Sequence, residues 1–160
     1  GSYGKDTRGI LRVHQFDKVE MFSITTPEQS EEEHQFLLSQ QERLMQMLKL
    51  PYRVVANCSG DTGFDTARQF DIETWLPGEG RYRETHSTSN TTDFQSRGVN
   101  IKYRKTDGTT EFVHMLNGTA FSQRPIIAIL ENCQQPDGSV RVPDVLVPYT
   151  GFTEIALKIK

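Results

Sequence analysis

Between residues 52 and 117 the chain strings short strand-like segments together across turns, with at most one short helix among them. Strands are expected at 52–58, 69–76, 81–85, 100–105 and 111–117. They are punctuated by Gly60-Asp61-Thr62-Gly63, Pro77-Gly78-Glu79-Gly80 and Thr106-Asp107-Gly108-Thr109. Parallel neighbours would need crossovers of about a dozen residues or more, usually helical, and the chain has few such stretches. The expected fold class is therefore α+β, a mainly antiparallel β-sheet flanked by helices. A short helix is expected at 92–97.

Two longer helices complete the outline. Thr26-Pro27-Glu28-Gln29 has the form of a helix start: Thr26 as N-cap, Pro27 in the first helical position and Gln29 closing a capping box. Leu37, Leu38, Leu44, Met45 and Leu48 then recur at helical spacing until Pro51. Glu31, Glu32 and Glu33 fall in the first turns, where the helix dipole favours negative charge, and are read as a solvated helix start. A last helix is expected over 125–135, with Ile126, Ile127, Ile129, Leu130 and Cys133 as its apolar side, ended by Pro136-Asp137-Gly138.

Composition narrows the function classes. A length of 160 residues suits one domain, and no repeat, low-complexity tract or Gly/Ser linker divides it. With 18 basic and 21 acidic residues the net charge is −3, so contact with a polyanion would have to be local. The longest apolar run, 126–130, is far below the roughly 20 residues that span a bilayer, and no signal-peptide core is evident. The expectation is a cytoplasmic chain with no membrane partner. Cys58 and Cys133 make neither a disulfide framework nor a zinc motif and are expected to be reduced bystanders. No GxGxxG or GxxxxGK[ST] occurs, so nothing supports a Rossmann or P-loop site.

Residues 10–25 alternate as one long strand would, with Arg12, His14, Phe16, Lys18, Glu20 and Phe22 on one face. Arg12, Phe16 and Glu20 would then follow at four-residue steps of about 13 Å each, a spacing that suits an extended, multi-part ligand. An arginine clamps phosphate, an aromatic ring stacks on a base, and a carboxylate holds an ammonium group. The alternative is a plain exposed face with ion pairs among Arg12, Lys18 and Glu20.

Residues 1–9 running into Arg12-Val13-His14-Gln15-Phe16-Asp17-Lys18-Val19-Glu20 resemble the loop and second strand of motif 2 in bacterial-type seryl-tRNA synthetases, class II aminoacyl-tRNA synthetases. Three further blocks agree in order. They are Ser59-Gly60-Asp61-Thr62-Gly63, then Arg81-Tyr82-Arg83-Glu84-Thr85-His86-Ser87, then Leu116-Asn117-Gly118-Thr119-Ala120 with Ala128-Ile129-Leu130-Glu131-Asn132, which resembles motif 3. The resemblance covers essentially the whole chain.

The resemblance implies a class II synthetase catalytic core, ATP-dependent activation of serine to seryl-adenylate, and transfer of the seryl group to tRNA-Ser. By it, Arg12 and Arg124 are the catalytic cations on ATP phosphate, Phe16 stacks on adenine, and Thr85 and His86 wall the nucleotide site. Glu84 and Ser87 ligate Mg2+; Glu20 holds the serine ammonium, and Asn117 and Thr119 read its hydroxyl. Ser87 is three residues from Glu84, so a bend or bulge is needed to bring both to one face. His86 also invites a general-base role from its near-neutral titration, but the family's mechanism needs no protein base there. The bland role of Asn117-Gly118-Thr119 is a strand-to-helix turn.

Two departures from the family pattern bear on function. One residue fewer than expected separates Ala120 from Arg124, and Pro125 disfavours helical geometry at Arg124, so the helix is expected to open at Pro125. The chain also opens within the motif 2 loop. Residues 1–160 are thus expected to be part of a catalytic domain, from the motif 2 loop through motif 3. The preceding strand, the dimer-building motif 1, the Thr-x-Glu loop and the tRNA-binding coiled coil have no counterpart in it. The isolated chain is expected to be weakly active or inactive, with an exposed sheet edge or apolar patch. The alternatives are a non-catalytic synthetase homologue and an amino acid:carrier-protein ligase.

Overall fold

The computed structural model describes residues 9–157, so residues 1–8 of the motif 2 resemblance lie outside the described residues. In chain order the elements are β1 (Val19–Thr25), a 3-10 turn (Pro27–Gln29), α1 (Ser30–Leu48), β2 (Tyr52–Ala56), β3 (Arg68–Leu76) and β4 (Arg81–Asn90). Then follow α2 (Phe94–Val99), β5 (Lys102–Arg104), β6 (Thr110–Phe112), β7 (His114–Phe121) and α3 (Gln123–Asn132). Short β8 (Val140–Arg141), α4 (Val147–Thr150) and β9 (Glu154–Ile155) end the series.

Five strands form one sheet in the order β1-β7-β4-β3-β2, every neighbouring pair antiparallel. This is the α+β sheet that the run of short segments predicts. β5 and β6 pair across Thr106-Asp107-Gly108-Thr109 as expected, but as a separate two-stranded sheet, and the single strand expected over 111–117 is divided at Val113 between β6 and β7. Apolar residues of α1 (Leu38, Met45, Leu48) and α3 (Ala128, Ile129) join Phe70, Ile72 and Leu76 of β3 in one core cluster. Both helices therefore cover the same face of the sheet. The opposite face is left to polar side chains.

Three expectations are corrected. The long strand over 10–25 begins only at Val19. β1 pairs with β7 from Val19↔Phe121 to Thr25↔His114, and β7 stops at Phe121 just before α3, so 10–18 have no ladder to join. Alternation alone cannot supply that partner. The capping box at Thr26 is not formed: Thr26 makes no side-chain cap to a backbone amide, its Oγ1 lying 3.4 Å from the Gln29 side chain, and the α-helix proper starts at Ser30. α1 ends at Leu48, where Lys49 takes a left-handed conformation and its amide returns to the Gln46 and Met45 carbonyls. The third correction concerns α3, which opens at Gln123 with Arg124 inside it. Pro125 is tolerated because the first-turn amides of a helix have no intrahelical acceptor. The core side of α3 is Pro125, Ala128 and Ile129, leaving Ile126 and Leu130 exposed.

β1 is the outer strand of the sheet among the described residues, and Val19, Phe22 and Ile24 on it are exposed, with Phe36 of α1. Among the described residues no helix is long and apolar enough to cross a membrane. Cys58 and Cys133 are both free.

Candidate active site

Parity along β4 decides where the site can form. β3 and β4 pair Asp71↔Ser87 and Ile72↔His86, but the next pair is Glu73↔Glu84, leaving Thr85 as an extra residue. This is a β-bulge, the feature needed if Glu84 and Ser87, three residues apart, are to share a face as the resemblance implies. Because Asp71 and Glu73 share a face, their partners Ser87 and Glu84 do too. Thr85 turns inward instead, its hydroxyl 2.8 Å from Thr74 Oγ1 and 3.2 Å from the Ile72 carbonyl.

β7 contributes to the same open face. Thr119 lies opposite Glu20 of β1, and Asn117 opposite Phe22 and Ser89, so Glu20, Asn117, Thr119 and Ser87 all point away from α1 and α3. The loop before β1 reaches the cleft through Arg12 and Phe16, while its Leu11 is buried in the core cluster. A cavity of about 190 Å³ results, lined by Arg12 and Phe16 from the loop, Glu84, Thr85, His86 and Ser87 from β4, Thr119, and Arg124 from α3. A more polar cavity of about 280 Å³ adjoins it through Arg12, Glu84 and Arg124 and is floored by Asp71 and Glu73.

Eight of the ten predicted site residues thus converge on one cleft. Glu20 and Asn117 do not line it, although both sit on the open face; Glu20 is held by Lys18 at 2.9 Å. Arg12 and Phe16 arrive by a loop and not by the regular strand spacing first expected. Arg124, at the second position of α3, donates to the Glu84 carbonyl at 2.9 Å and to its carboxylate at 3.2 Å. The shortened approach before Arg124 therefore still delivers it to the cleft.

Burial pushes the Asp71 carboxyl above the ordinary range, and nearby Glu84 and Asp61 add to this, against hydrogen bonds from Gln69 and Asn57. The floor is acidic and the rim basic. Among the described residues no group of three or more His, Cys, Asp or Glu side chains is arranged to hold a metal alone. Glu84 and Ser87, both oxygen donors on one face, fit a hard cation that takes its remaining ligands from phosphate and water.

His86 is 1% exposed, with Nδ1 2.9 Å from Thr85 Oγ1. Burial drives its pKa from 6.5 down to about 4, opposed by the Ala120 backbone. It is neutral at pH 7 and serves to pack and hydrogen-bond the bulge. In the unfolded chain the imidazole recovers its ordinary value, so protonation favours unfolding and stability falls as pH drops from about 6.5 toward 4. A shift of this size corresponds to about 3 kcal/mol. Denaturant melts at pH 7 and pH 4.5 should show that loss, and His86→Gln should make the difference distinctly smaller; an equal pH slope in both proteins would count against it. His34 is moved in the same direction by burial.

Two buried polar side chains went unnoticed in the sequence. His34 Nε2 lies 3.1 Å from the Thr88 carbonyl, and Gln41 Nε2 donates to the Ser87 and Thr119 carbonyls at 2.9 Å each. Their positions on the stripe with Leu37, Leu38, Met45 and Leu48 were a usable signal, since that stripe packs against β4 and β7.

An antiparallel sheet with helices on one face and a cleft on the other, walled by an arginine-bearing loop, a bulged acidic strand and the first turn of a helix, is the architecture of a class II synthetase core. The chain matches the tRNA synthetase class II core domain (G, H, P, S and T) over residues 2–133 and belongs to that family. Within it, serine–tRNA ligases are among the proteins similar to this chain. The enzyme of Thermotoga petrophila is 57% identical over 97% of this chain and that of Dictyoglomus thermophilum 55% identical over 99%. Seryl-tRNA synthetase from Pyrococcus horikoshii, solved with ATP, superposes with a TM-score of 0.93 at 52% identity over 98% of the chain. A cytoplasmic serine–tRNA ligase from Naegleria fowleri, in complex with AMP, gives 0.89 at 44% over the same share. The chain spans 37% of the two curated relatives and 35% and 37% of the two solved chains.

Proposed function

We propose that this chain forms the motif 2 to motif 3 portion of the catalytic domain of a serine–tRNA ligase, binding ATP and L-serine and, in the complete protein, serving tRNA-Ser. The observation that carries this is the convergence of Arg12, Phe16, Glu84, Ser87, Thr119 and Arg124 from four separate elements on one cleft. The likeness to an ATP-bound seryl-tRNA synthetase supports it. A cytoplasmic homodimer is part of the same proposal.

In the reaction a serine carboxylate oxygen attacks the α-phosphorus of ATP, and the bond to pyrophosphate breaks as seryl-adenylate forms. Phe16 stacks on the adenine and Arg12 faces the phosphates. Arg124 exchanges its bond to the Glu84 carboxylate for phosphate oxygen, spreading the charge that develops there. Glu20, across from Thr119, holds the serine ammonium. Asn117 and Thr119 read the serine hydroxyl, so alanine leaves a polar group unpaired. Glu84 and Ser87 would hold Mg2+, which when bound neutralises phosphate charge and fixes its geometry.

Serine-dependent exchange of pyrophosphate into ATP, measured on the intact protein that carries this sequence, is the test. Exchange supported by serine and abolished without Mg2+ is expected; exchange with glycine or alanine in place of serine would favour a carrier-protein ligase, and none at all a non-catalytic homologue. Thr119→Val keeps the shape and removes the hydroxyl. It should reduce the preference for serine over alanine about 10- to 100-fold, the worth of one buried hydrogen bond left unmade. Unchanged discrimination would remove Thr119 from the hydroxyl pocket.

A further inference from the structure

The cleft opens where two strands part, and one side chain from behind the sheet sits at the fork. β4 and β7 pair at Thr88↔Gly118, Ser89↔Asn117 and Asn90↔Leu116. One residue further on, Ser87 continues beside Asp71 of β3, while Thr119 continues beside Glu20 of β1. The cavity occupies the opening, with Ser87 and Thr119 on its wall.

Gln41 of α1 is fully buried beneath that point. Its amide nitrogen carries two hydrogens, and it lies 2.9 Å from each of two carbonyl oxygens, Ser87 O and Thr119 O. The first two residues past the ladder are thus tied together by a side chain and not by each other. Gly118 makes the room: a Cβ there would stand 3.2 Å from Gln41 Nε2 and 3.0 Å from Thr88 Oγ1. The other end of the amide tells in the same direction. Gln41 Oε1 is buried with no hydrogen-bond partner, an unfavourable arrangement for a group that merely fills space. Its donors, not its volume or its oxygen, are what the site uses.

The geometry points to Gln41 as a positioning residue, a cross-brace that fixes the separation of Ser87 and Thr119 at the fork between β4 and β7. Through the backbone it sets the distance between the arm assigned to the metal and the arm assigned to the serine hydroxyl, and in that respect it rests on the roles given to Ser87 and Thr119 above. Without the brace, two carbonyl oxygens face one another across the fork with no donor between them, and the strands separate.

Gln41→Met keeps length and approximate volume and removes both donors. Gly118→Ala presses on the same amide from the sheet side while leaving α1 untouched, so a folding defect in one variant does not end the test. In the intact protein both should raise the serine KM and the Mg2+ half-saturation at least tenfold, and leave AMP affinity within twofold. A role confined to stability would lower the melting temperature and leave the serine KM unmoved, and that result would overturn the assignment. Hydrogen exchange followed by mass spectrometry reads the brace without any activity. Peptides covering 84–90 and 116–121 should lose protection in both variants, while β2 and the rest of β3 keep theirs. If the wild-type protein shows no serine-dependent exchange, the functional proposal fails by itself; the hydrogen-exchange pattern then still decides the brace, and unchanged protection at the fork overturns it.

Discussion

In the intact protein that carries this sequence, Glu84→Gln is expected to lower the proposed serine-dependent exchange of pyrophosphate into ATP by about a thousandfold, the scale at which one preorganised charge acts on a developing phosphate charge. Glutamine keeps the length and planarity of the side chain and removes only the anion. Two contacts separate the carboxylate's role from the backbone's. Arg124 bonds to both the Glu84 carbonyl and its carboxylate, and the carbonyl bond survives the change. Arg124 therefore stays at the cleft, and the lost activity reports the oxygen ligand assigned to Mg2+. Stability should hardly move, since the Glu84 side chain is about half exposed and such pairs contribute little to folding. The measurement is a Mg2+ titration of exchange beside a thermal melt. A variant with near wild-type exchange at ordinary Mg2+ would take Glu84 out of the site.

The parts of this site that were legible in the sequence are those governed by local rules. Turn residues between short apolar segments announced the antiparallel sheet; the bulge, which lies at Thr85, followed only from the family resemblance, which assigns Glu84 and Ser87 to one ligand although they stand three residues apart. What escaped depended on partners distant in the chain. Residues 10–18 alternate as well as any strand does, yet β7 ends where they would need it, so they form the loop that carries Arg12 and Phe16 into the cleft. α3 starts two residues before Pro125 because the freedom of a first helical turn, where a missing amide costs nothing, outweighs the tendency of a residue before proline to leave helical geometry. Gln41 and His34 look like interruptions of an apolar stripe until the sheet carbonyls 46 to 78 residues away are in place to receive them.

The bulge stands on the core, so a purely apolar truncation should disturb both stability and chemistry. Ile72 is fully buried on β3 beside the register shift, packed in the cluster that includes Met45, Leu76 and Ile129. Its carbonyl accepts the hydroxyl of Thr85, the residue that the bulge turns inward. Ile72→Ala is expected to cost about 3 to 4 kcal/mol, the transfer of the lost methyl groups plus the cavity left behind; Ile72→Val should cost about 1 kcal/mol. Denaturant titration with an unchanged m-value would measure both. The carbonyl that Thr85 uses remains in either variant, but the strand bearing it settles toward the vacated space. Exchange activity of the folded Ile72→Ala protein, measured far below its unfolding midpoint, should therefore fall below that of the wild type, with the Mg2+ half-saturation raised because Glu84 and Ser87 flank the bulge. If the loss of stability appears while the Mg2+ dependence stays put, the bulge is held by its own hydrogen bonds to Thr74 and Ile72, and the core beneath contributes to folding alone.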